Sequence, residues 1–454
     1  MKNYFDKFKM NIIGDGYKPQ FNEYGKKIIY ADWAASGRLY HDIEMEIIDN
    51  YGPLYSNFHS EGNYISYKTE LAYNQSKNII RIHFGANDNY AVIACGHGMT
   101  SAINRLQMIL INQYKNSKNI IIFLTPYEHN SNFITWKNNN INCVILKLKE
   151  NGQIDLNDME IKLKKYFKNE NVLIGFFCAC SNVNGVKVDL LPLCNLMKLF
   201  SGIVCVDYTT IAPYDVLNIE KLRIDALVFS THKFVGGVGG PGILIISKDL
   251  YKLKVPTQVG GGTVKWINPW GEILYKDNIE EREEAGTPPI LPVIKAGLAI
   301  KLKEKIGVDN IVSREIDITK KMLSEMKKIR NIVIYDSNIE NRLPIISFNF
   351  INVSYIEGVK ILDQKYGIQV RGGCCCASIY GHHLLNISSE ESNIICQNII
   401  KNEEKINKKG WIRVSLSPFV LDDEIYYICD SIRKIADGME EYDKESKGNR
   451  RKLS

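Results

Sequence analysis

Lys233 ends a hydrophobic run in Ser230-Thr231-His232-Lys233-Phe234, and the glycines Gly236, Gly237, Gly239, Gly240 and Gly242 follow it closely. A lysine at a strand end, with flexible backbone behind it, can approach a carbonyl compound and bond to it through its amine. The other reading of a lone lysine is a solvated surface side chain. Residues 237–242 also fit G-x-G-x-x-G, but residues 243–246 read as a strand, so the dinucleotide-binding reading fails its own context.

Three further segments carry reactive groups. Asp207 closes the apolar run 203–206, where a carboxylate can hold a heterocyclic N–H; the alternative is a turn or cap aspartate. Gly96-His97-Gly98-Met99-Thr100-Ser101 links a strand to a helix, and glycines followed by hydroxyls at a helix start make a phosphate cradle or an ordinary cap. Glu128-His129-Asn130-Ser131-Asn132 follows the run 120–124 and can place an imidazole over a ring or leave it as a loop histidine.

Val370-Arg371-Gly372-Gly373-Cys374-Cys375-Cys376-Ala377 puts a guanidinium and three thiols on one glycine-rich stretch. Arginine grips carboxylates through two N–H groups, and a thiolate near positive charge is a nucleophile. A run of small buried residues is the plain alternative, and zinc with His382 and His383 is disfavoured because consecutive cysteines lack C-x-x-C spacing. Arg413, in Trp411-Ile412-Arg413-Val414-Ser415, is a second carboxylate clamp or a strand-edge charge.

The elements that must position these groups alternate. Short β-branched runs at 91–94, 120–124, 143–148, 172–177, 203–206, 226–229 and 243–246 are separated by amphipathic segments such as 100–114, 158–167 and 191–200. That alternation predicts an α/β domain with a mostly parallel sheet. After Pro288-Pro289, helical patterns at 291–306 and 309–328 precede strands at 332–335, 345–350 and 411–415, which reads as a smaller α+β domain.

With 454 residues, 45% hydrophobic and 24% charged, the chain has ample core for two or three domains, and collagenous, disordered and disulfide-scaffold classes are excluded. Lys447, Arg450, Arg451 and Lys452 supply four of the formal +6, leaving +2 on the rest, which argues against nucleic-acid binding. The longest apolar runs fall short of the ~18–20 residues of a membrane span. The first fifteen residues show no signal or transit pattern, and eleven cysteines, an odd number with three consecutive, argue for reduced thiols and a cytoplasmic location.

In this order, from Tyr30-Ala31-Asp32-Trp33-Ala34-Ala35 to Arg413, the segments resemble class V aminotransferase-fold enzymes that use pyridoxal 5'-phosphate, within them the cysteine desulfurase and selenocysteine lyase group. The resemblance implies a fold type I transferase: residues 1–29 packing with the small domain, a large cofactor domain over 30–290, a small domain over 291–437 and a charged tail over 438–454. It implies Lys233 as the Schiff-base lysine, His129 stacked on the ring, Asp207 on the pyridine nitrogen and Asn182 on the ring hydroxyl. Gly98, Thr100, Ser230 and His232 would hold the phosphate, Thr287 would reach the phosphate of a partner subunit in a homodimer, and Arg371 and Arg413 would bind the substrate carboxylate. Cys376 matches the family's catalytic cysteine, which takes sulfur from L-cysteine as a persulfide and leaves alanine.

Three positions depart from the group's pattern: Thr210 stands for a common glutamine, Met99 for a hydroxyl residue, and Cys374 and Cys375 for residues that are often histidine. The expected ligand is a small amino acid, with room for a sulfur-acceptor protein as partner and no metal, nucleic acid or membrane. The rivals are transamination, epimerisation or selenocysteine lysis on the same fold, or a scaffold without turnover.

Overall fold

The computed structural model describes residues 2–19, 25–58, 60, 62–114, 119–168, 170–401 and 409–438. The charged tail therefore lies outside the described residues, apart from Gly438.

The large sheet has seven strands: β1 (Tyr90–Cys95), β2 (Asn119–Leu124), β3 (Asn142–Ile145), β4 (Asn171–Cys178), β5 (Ile203–Asp207), β6 (Ala226–Ser230) and β7 (Gly242–Ser247), in the spatial order β1-β7-β6-β5-β4-β2-β3. Only β7 runs against its neighbours. The strands are apolar on both faces because helices cover both faces, as the crossovers of a parallel sheet require. One face buries Phe123, Phe177, Val206 and Phe229, and the other buries Ile122, Phe176, Val228 and Leu244. The strand expected over 143–148 stops at Ile145, because Leu148 turns out of the sheet to bridge Ile154.

Side chains before the helices fix their starts. Asn63 caps Tyr64–His83 by accepting from Ile65 and Ser66 N–H, and Asp155 and Asp189 cap Leu156–Tyr166 and Leu190–Leu199 in the same manner. Helix Ile290–Ile306 lies against Tyr64–His83 in the core of the large sheet. Gly307, at φ +88°, then ends it and begins Val308–Met326, a change of direction that a glycine makes without a Cβ clash.

The second sheet is antiparallel: β8 (Ile332–Ile334), β9 (Ile345–Phe350), β10 (Arg371–Gly373) and β11 (Trp411–Ser415), in the order β8-β9-β11-β10. Its core joins Phe348, Ile412 and Val414 to Ile318, Met322 and Ile428 of the covering helices. The N-terminal segment touches both layers. Phe5 and Phe8 join the large core, Lys9 pairs with Glu424, and Ile29–Tyr30 adds to Ile368–Gln369. Ser415 N–H donates to the carbonyl of Ala31, and Ala34 N–H donates to Ser415 Oγ, so the chain around Asp32 is stitched to β11.

Candidate active site

The parallel strands deliver their C-terminal ends to one crevice, the place where open α/β sheets bind ligands. A cavity of about 460 Å³ lies there, lined by Gly98, Met99, Thr100, His129, Asn182, Ser230, His232, Lys233, Arg371, Cys375, Cys376 and Arg413, among others. Segments as far apart in sequence as Gly98 and Arg413 thus meet at one point, and Lys233 is among its lining residues.

Lys233 makes no hydrogen bond or ion pair among the described residues, and burial lowers its ammonium from 10.5 to about 8 against the opposing pull of Asp207. Asp207 ends β5, is 4% exposed, and accepts from Thr209 N–H at 2.9 Å; burial raises its carboxyl, and the bonds from Thr209 pull it back.

His129 caps helix Asn130–Asn138, its Nδ1 accepting from Ser131 N–H at 3.2 Å. Burial, then the charge of Lys233, lowers it to about 4. The ring is therefore neutral near pH 7, with its proton on Nε2. Behind it, the fully buried Glu128 accepts from Thr125, Asn132 and Cys178 N–H, and burial raises it to about 8 against those donors. Glu128 holds together the ends of β2 and β4 and the helix that carries His129, a role the sequence reading did not give it.

The anion end is built from backbone. Gly98 has φ +61°, and a Cβ there would stand 3.1 Å from His232 Cε1 and 3.2 Å from Ser230 Oγ. Met99 N–H donates to Ser230 Oγ at 2.7 Å and His97 N–H to Ser101 Oγ at 2.9 Å. Among the described residues the N–H groups of Gly98 and Thr100 have no acceptor, which leaves donors at the positive end of helix Gly98–Tyr114. Thr100 Oγ1 also meets Ser131 Oγ at 2.8 Å, joining this cradle to the His129 helix.

The two arginines are on the antiparallel sheet. Arg413, 2% exposed, donates to the Asn182 carbonyl at 2.8 Å and to Asp32 Oδ1 at 2.5 Å, while its buried Nε has no partner. Arg371 donates to the second oxygen of the same aspartate at 3.0 Å. Asp32 thus orients both arginines, although the sequence reading used its segment only as the start of a resemblance.

The thiols are placed individually. Cys375 and Cys376 line the cavity; Cys374 and Cys376 are both exposed, and Cys374 Sγ donates to the Lys409 carbonyl at 3.2 Å. Cys375 and Cys376 both have φ near +50°, a conformation that non-glycine residues hold only when their surroundings impose it. Here Asn130 N–H binds the Cys376 carbonyl at 2.7 Å, Asn182 Nδ2 the Cys375 carbonyl at 2.8 Å, and Asn130 Oδ1 the Ser378 N–H at 2.8 Å. Thr287 is not part of this cavity; it is exposed and bonded to Asn57 at 3.2 Å. Thr210 is buried beside the site without lining it.

Fold and site together define a fold type I α/β enzyme, and residues 29–427 match the model of the class-V aminotransferases: the chain belongs to that family. It is 28% identical over 360 residues to a probable cysteine desulfurase of Pyrococcus abyssi, covering 78% of this chain and 86% of the relative. A probable cysteine desulfurase of Borreliella burgdorferi is 28% identical over 380 residues, 80% of this chain and 87% of that one. Among solved structures, the apo cysteine desulfurase of Thermococcus onnurineus superposes with a TM-score of 0.74 at 22% identity, covering 90% of this chain and 95% of that one. The Escherichia coli cysteine desulfurase in its S-sulfonic acid form gives 0.71 at 18% identity, covering 95% and 98%.

No helix among the described residues is long and apolar enough to cross a membrane, and they contain no group of three or more His, Cys, Asp or Glu side chains arranged to hold a metal ion.

Proposed function

We propose that this chain is a pyridoxal-phosphate-dependent cysteine desulfurase that converts L-cysteine to L-alanine and keeps the sulfur as a persulfide on Cys376. The observation that carries the reading is the position of Cys376 on the wall of the cavity that also holds Lys233 and Arg413. A transaminase has no use for a thiol there.

The residues fit the cofactor. Asn182 Oδ1 is buried without a partner and is free to accept from a ring hydroxyl. The space above Gly98 is one that a Cβ would fill, and Asp207 offers a carboxylate next to the buried amine. Gly98, Thr100, Ser230 and His232 would hold the phosphate, Asp207 the pyridine nitrogen, and His129 the ring face. When bound, pyridoxal phosphate supplies a carbonyl for the substrate amine and a protonated ring that accepts the electron pair freed at the substrate carbon.

Arg413 and Arg371 orient the substrate carboxylate. Lys233 Nζ, poised near neutrality, moves a proton at the substrate α-carbon. The neutral His129 ring excludes water from that face and presents its Nε2 proton. Cys376 Sγ attacks the substrate sulfur, so that an S–S bond forms as the C–S bond breaks.

A homodimer is supported by the hairpin of Val264–Ile267 and Ile273–Tyr275, which exposes Trp266 (64%) and Trp270 (88%). A lone two-stranded hairpin with such a face gains stability only against a partner. Thr287, which does not line the cavity of its own chain, would then serve the neighbour's phosphate.

The test is incubation of the purified holoenzyme with L-cysteine, assaying alanine and sulfide for the parent, Cys376→Ala and Lys233→Ala. Both variants are expected to lose alanine production, and Lys233→Ala also its visible absorbance band. Full turnover by Cys376→Ala would sink the desulfurase reading and leave another class V reaction; absence of any band in the parent would leave a scaffold without turnover.

A further inference from the structure

Two helix starts meet behind the thiol loop. Helix Asn130–Asn138 begins with a backbone N–H at Asn130 that finds no acceptor within its own helix, and the carbonyl of Cys376 accepts it at 2.7 Å. Helix Ser378–Leu384 follows Ala377, whose methyl group cannot cap it, and the N–H of Ser378 donates instead to Asn130 Oδ1 at 2.8 Å, across 248 positions of sequence. Asn130 therefore brackets Ala377: its N–H holds the residue before, and its side-chain oxygen holds the residue after. Asn130 directly follows His129, so this clasp joins the helix start that carries the imidazole to the stretch that carries the thiol.

The stretch needs an outside hold. Cys375 and Cys376 have φ of +52° and +55°, which costs energy unless neighbouring groups impose it. Within the loop, Ala377 N–H donates to the Cys374 carbonyl at 3.1 Å, a turn that closes the loop on itself without tying it to the cavity. The ties to the cavity are Asn182, on the Cys375 carbonyl, and the two bonds of Asn130. Cys376 is exposed as well as cavity-lining, so packing does not hold its side chain and the backbone must.

Resting on the desulfurase reading, we propose that Asn130 is a positioning residue for the nucleophile, a clasp that fixes the backbone of Cys376 and with it the place of the thiol on the cavity wall. The other grips on substrate and cofactor do not pass through this residue. Arg371 and Arg413 are anchored by Asp32, and the His129 ring accepts from Ser131 N–H. Replacing Asn130 by alanine keeps its backbone N–H and removes the side-chain oxygen, so the loop is loosened on one side only. An aspartate keeps an oxygen at the same reach.

The experiment compares the parent holoenzyme with Asn130→Ala and Asn130→Asp by amide hydrogen exchange and by steady-state alanine production from L-cysteine. In Asn130→Ala, exchange across residues 374–385 is expected to be about tenfold faster and kcat to fall about tenfold or more, the order of loss that follows when a reacting group leaves its attack position. KM and the visible absorbance band are expected to stay as in the parent. Asn130→Asp is expected to exchange at the parent's rate. Unchanged exchange in Asn130→Ala, or fast exchange in Asn130→Asp, overturns the clasp. Faster exchange with unchanged kcat overturns its role in placing the thiol, and so does a raised KM or a lost band, which would assign Asn130 to the substrate or cofactor site instead. No alanine from the parent overturns the desulfurase reading and this role with it, while the exchange still reports whether the clasp exists.

Discussion

Asp32 Oδ1 stands 2.5 Å from Arg413 Nη2, and the other oxygen of the same carboxylate reaches Arg371. One acidic residue near the N-terminus therefore holds two cations contributed by β10 and β11 of the antiparallel sheet. Because Arg413 is 2% exposed, its charge is balanced chiefly by Asp32 until a substrate carboxylate arrives.

Asp32→Asn leaves a buried guanidinium without its counter-charge, a loss that costs roughly 3–5 kcal/mol when a buried pair is broken. The variant is expected to unfold at lower urea concentration and to show a KM for L-cysteine raised about tenfold or more, with kcat changed less. An unchanged KM would show that the arginines need no anchor.

The amine of Lys233 bonds to a carbonyl only when it is unprotonated. Burial favours the uncharged form and brings the ammonium from 10.5 to about 8. Uptake of pyridoxal phosphate by the apo-protein, followed by its visible band, is expected to slow as pH falls below about 8 and to level off above it. A break near the ordinary lysine value would contradict the buried environment of Lys233.

Gly98→Ala places a methyl group against His232 and Ser230 at a residue with φ +61°. The left-handed conformation alone costs about 1–2 kcal/mol for a non-glycine residue. That strain lowers stability, while the methyl group takes up space in the cradle: pyridoxal phosphate is expected to bind more weakly, about tenfold for each ~1.4 kcal/mol lost, while unphosphorylated pyridoxal binds as before. Equal weakening of both ligands would mean that Gly98 shapes the ring site and not the phosphate cradle.

The local pattern made the large sheet readable. Runs such as 120–124 and 226–229 are buried on both faces, and their β-branched content and turn boundaries mark them as strands. The places of Lys233, Asp207 and His129 near strand ends were legible because each follows such a run. Asp32 was not, because its partners lie 339 and 381 residues away and no local spacing encodes that meeting. Glu128 was hidden for a related reason: it sits beside His129 in sequence and bonds locally to Thr125 and Asn132, but the Cys178 N–H that ties it to the neighbouring strand reaches it only once β2 and β4 are adjacent. The apolar hairpin at 264–275 was also missed, since its strands are short and bury little within the chain.

That hairpin gives the last prediction. Trp266 and Trp270 are exposed by 64% and 88%, and burying two such rings on a partner is worth roughly 3 kcal/mol or more in total. Trp266→Glu with Trp270→Glu would place carboxylates in that contact, where desolvation opposes them. The double variant is expected to sediment as a monomer at concentrations where the parent is a dimer. Its fold is expected to survive, because neither ring joins the cores of the two sheets. If Thr287 serves the neighbour's phosphate, this monomer also retains pyridoxal phosphate less well than the parent on dialysis. A monomeric variant with full cofactor retention would separate the two ideas, keeping the dimer contact and discarding the shared site.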